Sequence, residues 1–349
     1  MNFELIFQII IFFSIFDYTY IKINITFLYK MSLTSTLSST ENTAKEFKKI
    51  LSFITPNSYE FRTFSENLAF SKNYTAISPY PLKHPIEARL VGVAFDYLAR
   101  FILSRYTNTK IDLNSLYCSD ALNIISDSHI HDKFHRHIDI IDQFHIGRAN
   151  NLDVVSSVVF FSHLEYVARS GVYDQKIYDS LYRIPADYIV QDLITQGNVF
   201  YKNFLRSGLV KPDSHITYSP TFSHDLTLAV GGIDSDICID QVLYDLKTTK
   251  SHAYSKNYAT QLISYYLFHL LDKLLYDKTD LQYHHITRIA LYKSRFGEIE
   301  YFDISNLKHR MLTETLLALN IHYRLEINPI RIRDLTARML KDNQLSDNE

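Results

Sequence analysis

Asp236, Asp245 and Lys247 have the types and spacing to do chemistry. They lie in 231-GGIDSDICIDQVLYDLKTTK-250, where Ile233, Ile237, Ile239, Val242, Tyr244 and Leu246 mark two short strands joined at a tight turn around Asp240 and Gln241. With that turn, Asp236 lies opposite Asp245 and Asp234 opposite Lys247, and all four side chains leave one face of the ladder. Facing carboxylates repel, and a divalent cation offsets that repulsion. Magnesium takes hard oxygen ligands, usually one or two carboxylates completed by water and phosphate oxygens. Lys247, on the same strand as Asp245, could stabilise charge on a scissile phosphate or orient an attacking water, and the backbone carbonyl of Leu246 could be a further oxygen ligand. An ordinary solvated hairpin also carries Asp and Lys, so these residues need elements around them that hold them as a site.

Two helices are candidates. After Thr248 and Thr249, 258-YATQLISYYLFHLLDKLLY-276 carries apolar residues at helical spacing, with Gln261 and Tyr265 four apart on one face and able to reach a phosphate or a terminal base. Upstream, 85-PIEARLVGVAFDYLARFILSRY-106 reads as a helix with Pro85 in its first turn and an apolar face running from Leu90 to Ile102. Gly92 permits close approach to a neighbouring backbone. Asp96, beside the apolar stripe, needs a cation or donors if partly buried, and is a candidate third metal ligand. Glu87 competes for that role but is accounted for by the helix dipole.

The order of these pieces resembles the PD-(D/E)xK nuclease superfamily, in the style of RecB-like and Cas4-like nuclease domains. Gly92 and Asp96 match the helix motif, Asp234 or Asp236 the second-motif aspartate, Asp245 and Lys247 the signature pair, and Gln261 and Tyr265 the following helix. The literal Pro-Asp is absent, and Gly-Gly-Ile-Asp stands in its place. Asp234 fits the Gly-x-x-Asp form, whereas cross-strand geometry favours Asp236. The resemblance implies an α/β, restriction-endonuclease-like core: a central mixed sheet flanked by helices, with a large helical insertion. It further implies magnesium- or manganese-dependent hydrolysis of a DNA phosphodiester. In that reading Asp96, Asp236 and Asp245 hold the ion, with Asp234 as the alternative; Lys247 supports the reacting phosphate, and Gln261 and Tyr265 position the strand. The alternative is a nucleic-acid-binding or scaffold module of the same fold without cleavage.

Some branches of that superfamily hold an iron-sulphur cluster on four cysteines. With only Cys118 and Cys238, this chain cannot build one. The run 129-HIHDKFHRHIDI-140 gathers His129, His131, His135 and His137 with Asp132, but its irregular spacing favours a solvated or nucleic-acid-facing helix over a zinc site. His224 and Asp225 precede an expected strand, 226-LTLAVGG-232, and could face the same cleft.

The remainder of the chain gives architecture. A 46% hydrophobic, 21% charged composition over 349 residues is globular, with no visible repeat. Residues 1–30 are rich in Ile and Phe but are interrupted by Glu4, Gln8 and Asp17, too short an apolar run for a spanning helix, and they carry no basic n-region. Met31 opens a polar stretch and reads as the start of translation. The expected organisation is therefore a leader or mis-assigned start (1–30), an N-terminal extension (31–84), a core (85–305) with helical insertion at about 110–210, and a C-terminal helical extension (306–349). The insertion includes helical patterns at 112–127, 155–171 and 187–208, and would form a lobe across the cleft. Two strands turning near Gly297 are expected in 285–304, then helices at 305–324 and 333–343. Few cysteines and no export signal point to the cytoplasm. A formal charge of -2 gives no general basic excess, so DNA contact must rest on a local cleft, for which Arg136, His137, Lys293, Arg295 and Arg333 are candidates if exposed.

Overall fold

The computed structural model describes residues 33–230, 232–233, 235–276, 281 and 284–346. The leader, Met31, Gly231 and the alternative ligand Asp234 lie outside these described residues. Six strands form one mixed sheet: β1 (Arg62–Thr63), β2 (Ile216–Tyr218), β3 (Ile237–Ile239), β4 (Val242–Lys247), β5 (Arg288–Lys293) and β6 (Glu298–Asp303), in spatial order β1-β6-β5-β4-β3-β2. Among the described strands only β4 and β5 are parallel. Parallel neighbours need a crossover, and an α-helix follows β4 before the chain returns to β5.

Eleven described helices surround the sheet: α1 (Leu33–Ser38), α2 (Asn42–Ser52), α3 (Pro85–Thr107), α4 (Ser128–His145), α5 (Asn151–Ser170), α6 (Gln175–Tyr182), α7 (Asp187–Val199), α8 (His224–Val230), α9 (Lys256–Leu275), α10 (His309–Tyr323) and α11 (Pro329–Ser346). Side-chain alternation along the strands divides them into two layers. Ile237, Tyr244, Ala290 and Tyr292 face a core shared with α3 to α7, whereas Cys238, Leu243, Ile289 and Leu291 face one shared with α1, α2 and α8 to α11. Because both faces are covered, β5 reads Ile-Ala-Leu-Tyr with no polar residue between. Among the described residues no helix is long and apolar enough to cross a membrane.

The β3–β4 hairpin has the expected register, with Ile237 opposite Tyr244 and Ile239 opposite Val242. Asp240 takes φ 50° in the turn, a left-handed conformation that Asp tolerates better than most residues. It is pinned by exchange with His215, whose N–H donates to Asp240 Oδ1 at 2.8 Å. The β5–β6 turn falls at Gly297 with φ 65°, a left-handed conformation that glycine adopts without a Cβ penalty.

Other expectations change. Residues 226–230 are not a strand: α8 takes His224–Val230, because Leu226 and Val230, one helical turn apart, both bury into the α9 side of the core. β3 begins at Ile237, leaving Ile233 outside it. The 112–127 segment forms short 3-10 turns, since Asp112 Oδ1 accepts from Asn114 N and the Ser115 and Ser119 hydroxyls bond nearby carbonyls. The helical lobe packs on one face of the sheet. The last helix starts at Pro329, where the Asn328 side chain accepts from Ile330 N at 2.9 Å. Lys293 and Arg295 are each only 1% exposed and so are no surface contacts for DNA. Lys293 pairs with Glu300, and Arg295 with Asp192. Arg136 and Arg333 are exposed; His137 is half-buried, stacked on Phe160 and bonded to Ser157.

Candidate functional site

Asp236 directly precedes β3, whose ladder begins at the Ile237–Tyr244 pair beside Asp245. Asp236 Oδ2 accepts the Leu246 N–H at 2.6 Å, tying the carboxylate to β4. Leu246 thus enters the site through its N–H. Asp236, Asp245 and Lys247 share strand parity with Cys238 and Leu243, which face the α9 layer.

Asp245 is 1% exposed, and its Oδ2 lies 2.7 Å from Lys247 Nζ. Lys247 Nζ also donates to Gln261 Oε1 at 3.2 Å and lies 4.9 Å from the centre of the Tyr258 ring. Gln261 Nε2 in turn donates to Tyr265 Oη at 2.7 Å and to Thr34 Oγ1 at 3.2 Å. The polar run Asp245–Lys247–Gln261–Tyr265 therefore joins β4 to α9. Gln261 and Tyr265 are buried, so here they fix the lysine and do not present groups to a strand.

Asp96 arrives from the opposite layer. α3 starts at Pro85, with His84 and Glu87 forming a capping box, and Glu87 Oε1 also accepts from Tyr188. Gly92 brings the helix close to the end of β4: a Cβ there would lie 3.6 Å from Thr248 Oγ1. One turn on, Asp96 is held by the Arg100 guanidinium, Nη2 to Oδ2 and Nε to Oδ1. Arg100 also stands near enough to Asp236 to favour its ionised form.

The electrostatics of the site are a contest between burial and charge. Burial pushes the Asp236 carboxyl up to about 7, and the neighbouring Asp245 charge adds to this; Lys247, the Leu246 N–H and Arg100 oppose it. Burial pulls the Lys247 ammonium down, but Asp245 and Asp236 outweigh it, so it is held above the ordinary lysine range. Lys247 is therefore a fixed cation and not a base at neutral pH. Asp236 and Asp245 both act on the Lys247 ammonium, with Arg100 also reaching Asp236, and a proton on Asp236 or a bound cation would ease the repulsion between the two carboxylates.

Among the described residues no group of three His, Cys, Asp or Glu side chains is arranged to hold a metal ion. The physical reason for the acidic trio is visible: Asp96 is drawn to Arg100 on its own helix, while Asp236 and Asp245 sit on the sheet. The histidine run lies on α4, where His131 Nε2 bonds Ile125 O and His137 is taken by Ser157, leaving the side chains dispersed. Both cysteines are buried and free. Sequence reasoning missed Arg100, Tyr258 and Thr34. Arg100 had a signal in its spacing of four from Asp96, and Tyr258 in its place one turn before Gln261. Thr34 had none.

No family model, curated protein or solved structure matches the chain. Its functional reading rests on the site itself.

Proposed function

We propose that this protein is a metal-dependent DNA phosphodiester hydrolase built on a restriction-endonuclease-like core of the PD-(D/E)xK type. The observation that carries the reading is the state of Lys247. Its ammonium has three donors; among the described residues Asp245 and Gln261 engage two, and the third would turn from the Tyr258 ring to a phosphate oxygen beside the Asp236 and Asp245 carboxylates.

Asp236 and Asp245 supply the hard oxygen donors that magnesium or manganese prefers, and one or two carboxylates with water suffice for magnesium. Burial first and the Asp245 charge second raise the proton affinity of Asp236, and a bound cation would relieve the second of these. Bound there, such an ion would supply Lewis-acid charge to a phosphoryl oxygen. Asp96 would join the ligand set by exchanging Arg100 for the ion. Lys247 would donate to the phosphate oxygen as negative charge develops in the transition state, and Gln261 and Tyr265 would keep its ammonium from swinging away. A fixed donor in a largely water-excluded place loses little to reorganisation.

A second reading is favoured by one observation, the Arg100–Asp96 pair together with the near-complete burial of Asp245. A module in that closed state would bind nucleic acid or act as a scaffold without cutting it. Incubation of the purified chain with linear, circular and single-stranded DNA, with magnesium or manganese, separates the two. Metal-dependent cleavage lost in D245A and K247A supports the hydrolase. Cleavage retained by both variants removes the assigned site, and intact DNA with retained binding favours the module.

A further inference from the structure

A cavity of about 420 Å³ lies in the helical lobe between α3, α5 and α7, lined also by Phe144 of α4 and by none of Asp96, Asp236 and Asp245. Its floor is apolar: Leu98, Val154 and Val155 are each no more than 4% exposed. Gly197 of α7 lets that helix approach α3, since a Cβ there would stand 3.2 Å from Leu98 Cδ2 and 3.3 Å from Ile102 Cδ1. The volume falls in the range of sites that enclose small organic molecules.

The rim has a different chemistry. Among the described residues Arg105 is the one charged side chain lining the cavity, and it makes no ion pair with a carboxylate. Its guanidinium carbon lies 4.8 Å from the centre of the Phe144 ring, a cation–π contact that orients the group. Gly147 leaves space for it: a Cβ there would meet Arg105 Nη2 at 3.4 Å. Asn151 and Asn198 line the same cavity with exposed amides. An apolar floor under one held guanidinium and two amides matches a ligand with an apolar body and a single anionic head.

We propose that this cavity is a binding site for a small amphipathic organic anion of the aryl carboxylate class, with the ring on Leu98, Val154 and Val155 and the carboxylate on Arg105. The site is separate from the proposed hydrolase chemistry and stands or falls without it. α3 carries both Asp96 and Arg105, but binding alone is assigned here.

The test uses the full-length chain, 2-naphthoate as the anionic probe and 2-naphthamide as its neutral counterpart, with affinities read by isothermal titration calorimetry. The wild-type chain is expected to bind naphthoate saturably and more tightly than the amide. Arg105→Gln, an exposed substitution, should weaken naphthoate on the order of tenfold and leave naphthamide unchanged. Val155→Phe, which fills the floor, should weaken both ligands. Absence of saturable naphthoate binding, or equal naphthoate affinity in R105Q and wild-type chains, overturns the assignment.

Discussion

Replacing Arg295 with methionine should cost the fold about 3–5 kcal/mol, the range for breaking a buried ion pair by removing one partner. Arg295 and Asp192 side chains are each 1% exposed and meet through two bonds, Nη1–Oδ1 at 2.7 Å and Nη2–Oδ2 at 2.8 Å. The guanidinium also donates to Thr248 O at 2.8 Å and Pro79 O at 2.9 Å. Methionine keeps much of the volume and removes every donor. Asp192 is then left with the Ser78 hydroxyl at 3.2 Å as its remaining side-chain donor among the described residues, so a carboxylate stays in the interior almost uncompensated. That loss is a large fraction of the roughly 5–15 kcal/mol by which domains are stable. Asp192→Leu should be similarly damaging, while the D192L/R295M double variant should cost much less than the sum of the two, because no charge is stranded. Urea denaturation followed by circular dichroism measures all four corners of the cycle. A loss below about 1 kcal/mol for R295M, as expected of an exposed cation, would refute the reasoning.

Three further outcomes are expected. Asp236 is held near 7 in the fold against an ordinary 3.8, so the folded chain keeps a proton that the unfolded chain releases; its contribution is present below about 4, and stability falls as pH rises towards 7. Urea midpoints at several pH values should show that slope in the wild-type chain and lose it in D236N, and an identical slope in both would count against it. Gly92→Ala should be tolerated, or stabilise by up to about 1 kcal/mol through helix propensity, because the new Cβ sits at ordinary contact distance from Thr248; Gly92→Leu should lower the thermal midpoint by forcing α3 away from β4. Gly297→Ala should destabilise by about 1–2 kcal/mol, since it combines φ 65° with a Cβ placed 2.6 Å from Asn203 Nδ2, and N203A in the same chain should recover part of that loss in a thermal melt.

What could be read from the sequence was local. The Asp240 turn and the alternation of Ile237, Ile239, Val242 and Tyr244 determine the hairpin register, and spacings of three and four expose α3 and α9. The link between Gln261 and Tyr265 follows from the same helical period. Contacts between distant segments left no comparable mark: Arg295 looks like a surface charge until Asp192, 103 residues away, is placed beside it. Thr34 reaches Gln261 across 227 residues. The Leu226–Val230 stretch misled because four apolar residues around Thr227 satisfy a strand and a helical turn alike, and only burial against α9 separates them. Asp96 was read as a ligand from its odd position on an apolar helix; the same oddness is met in the structure by Arg100 on the next turn.

The central claim is that Lys247, held by Asp245 and Gln261, acts on a phosphate in metal-dependent DNA hydrolysis. The most direct measurement is the single-turnover cleavage rate of a labelled DNA in magnesium by the wild-type chain and by K247A, with circular dichroism establishing that both are folded. Metal-dependent cleavage by the wild-type chain and a loss of about 100-fold or more in K247A are expected. Equal rates in the two proteins, or DNA left intact by the folded wild-type chain with magnesium and with manganese, would contradict that claim.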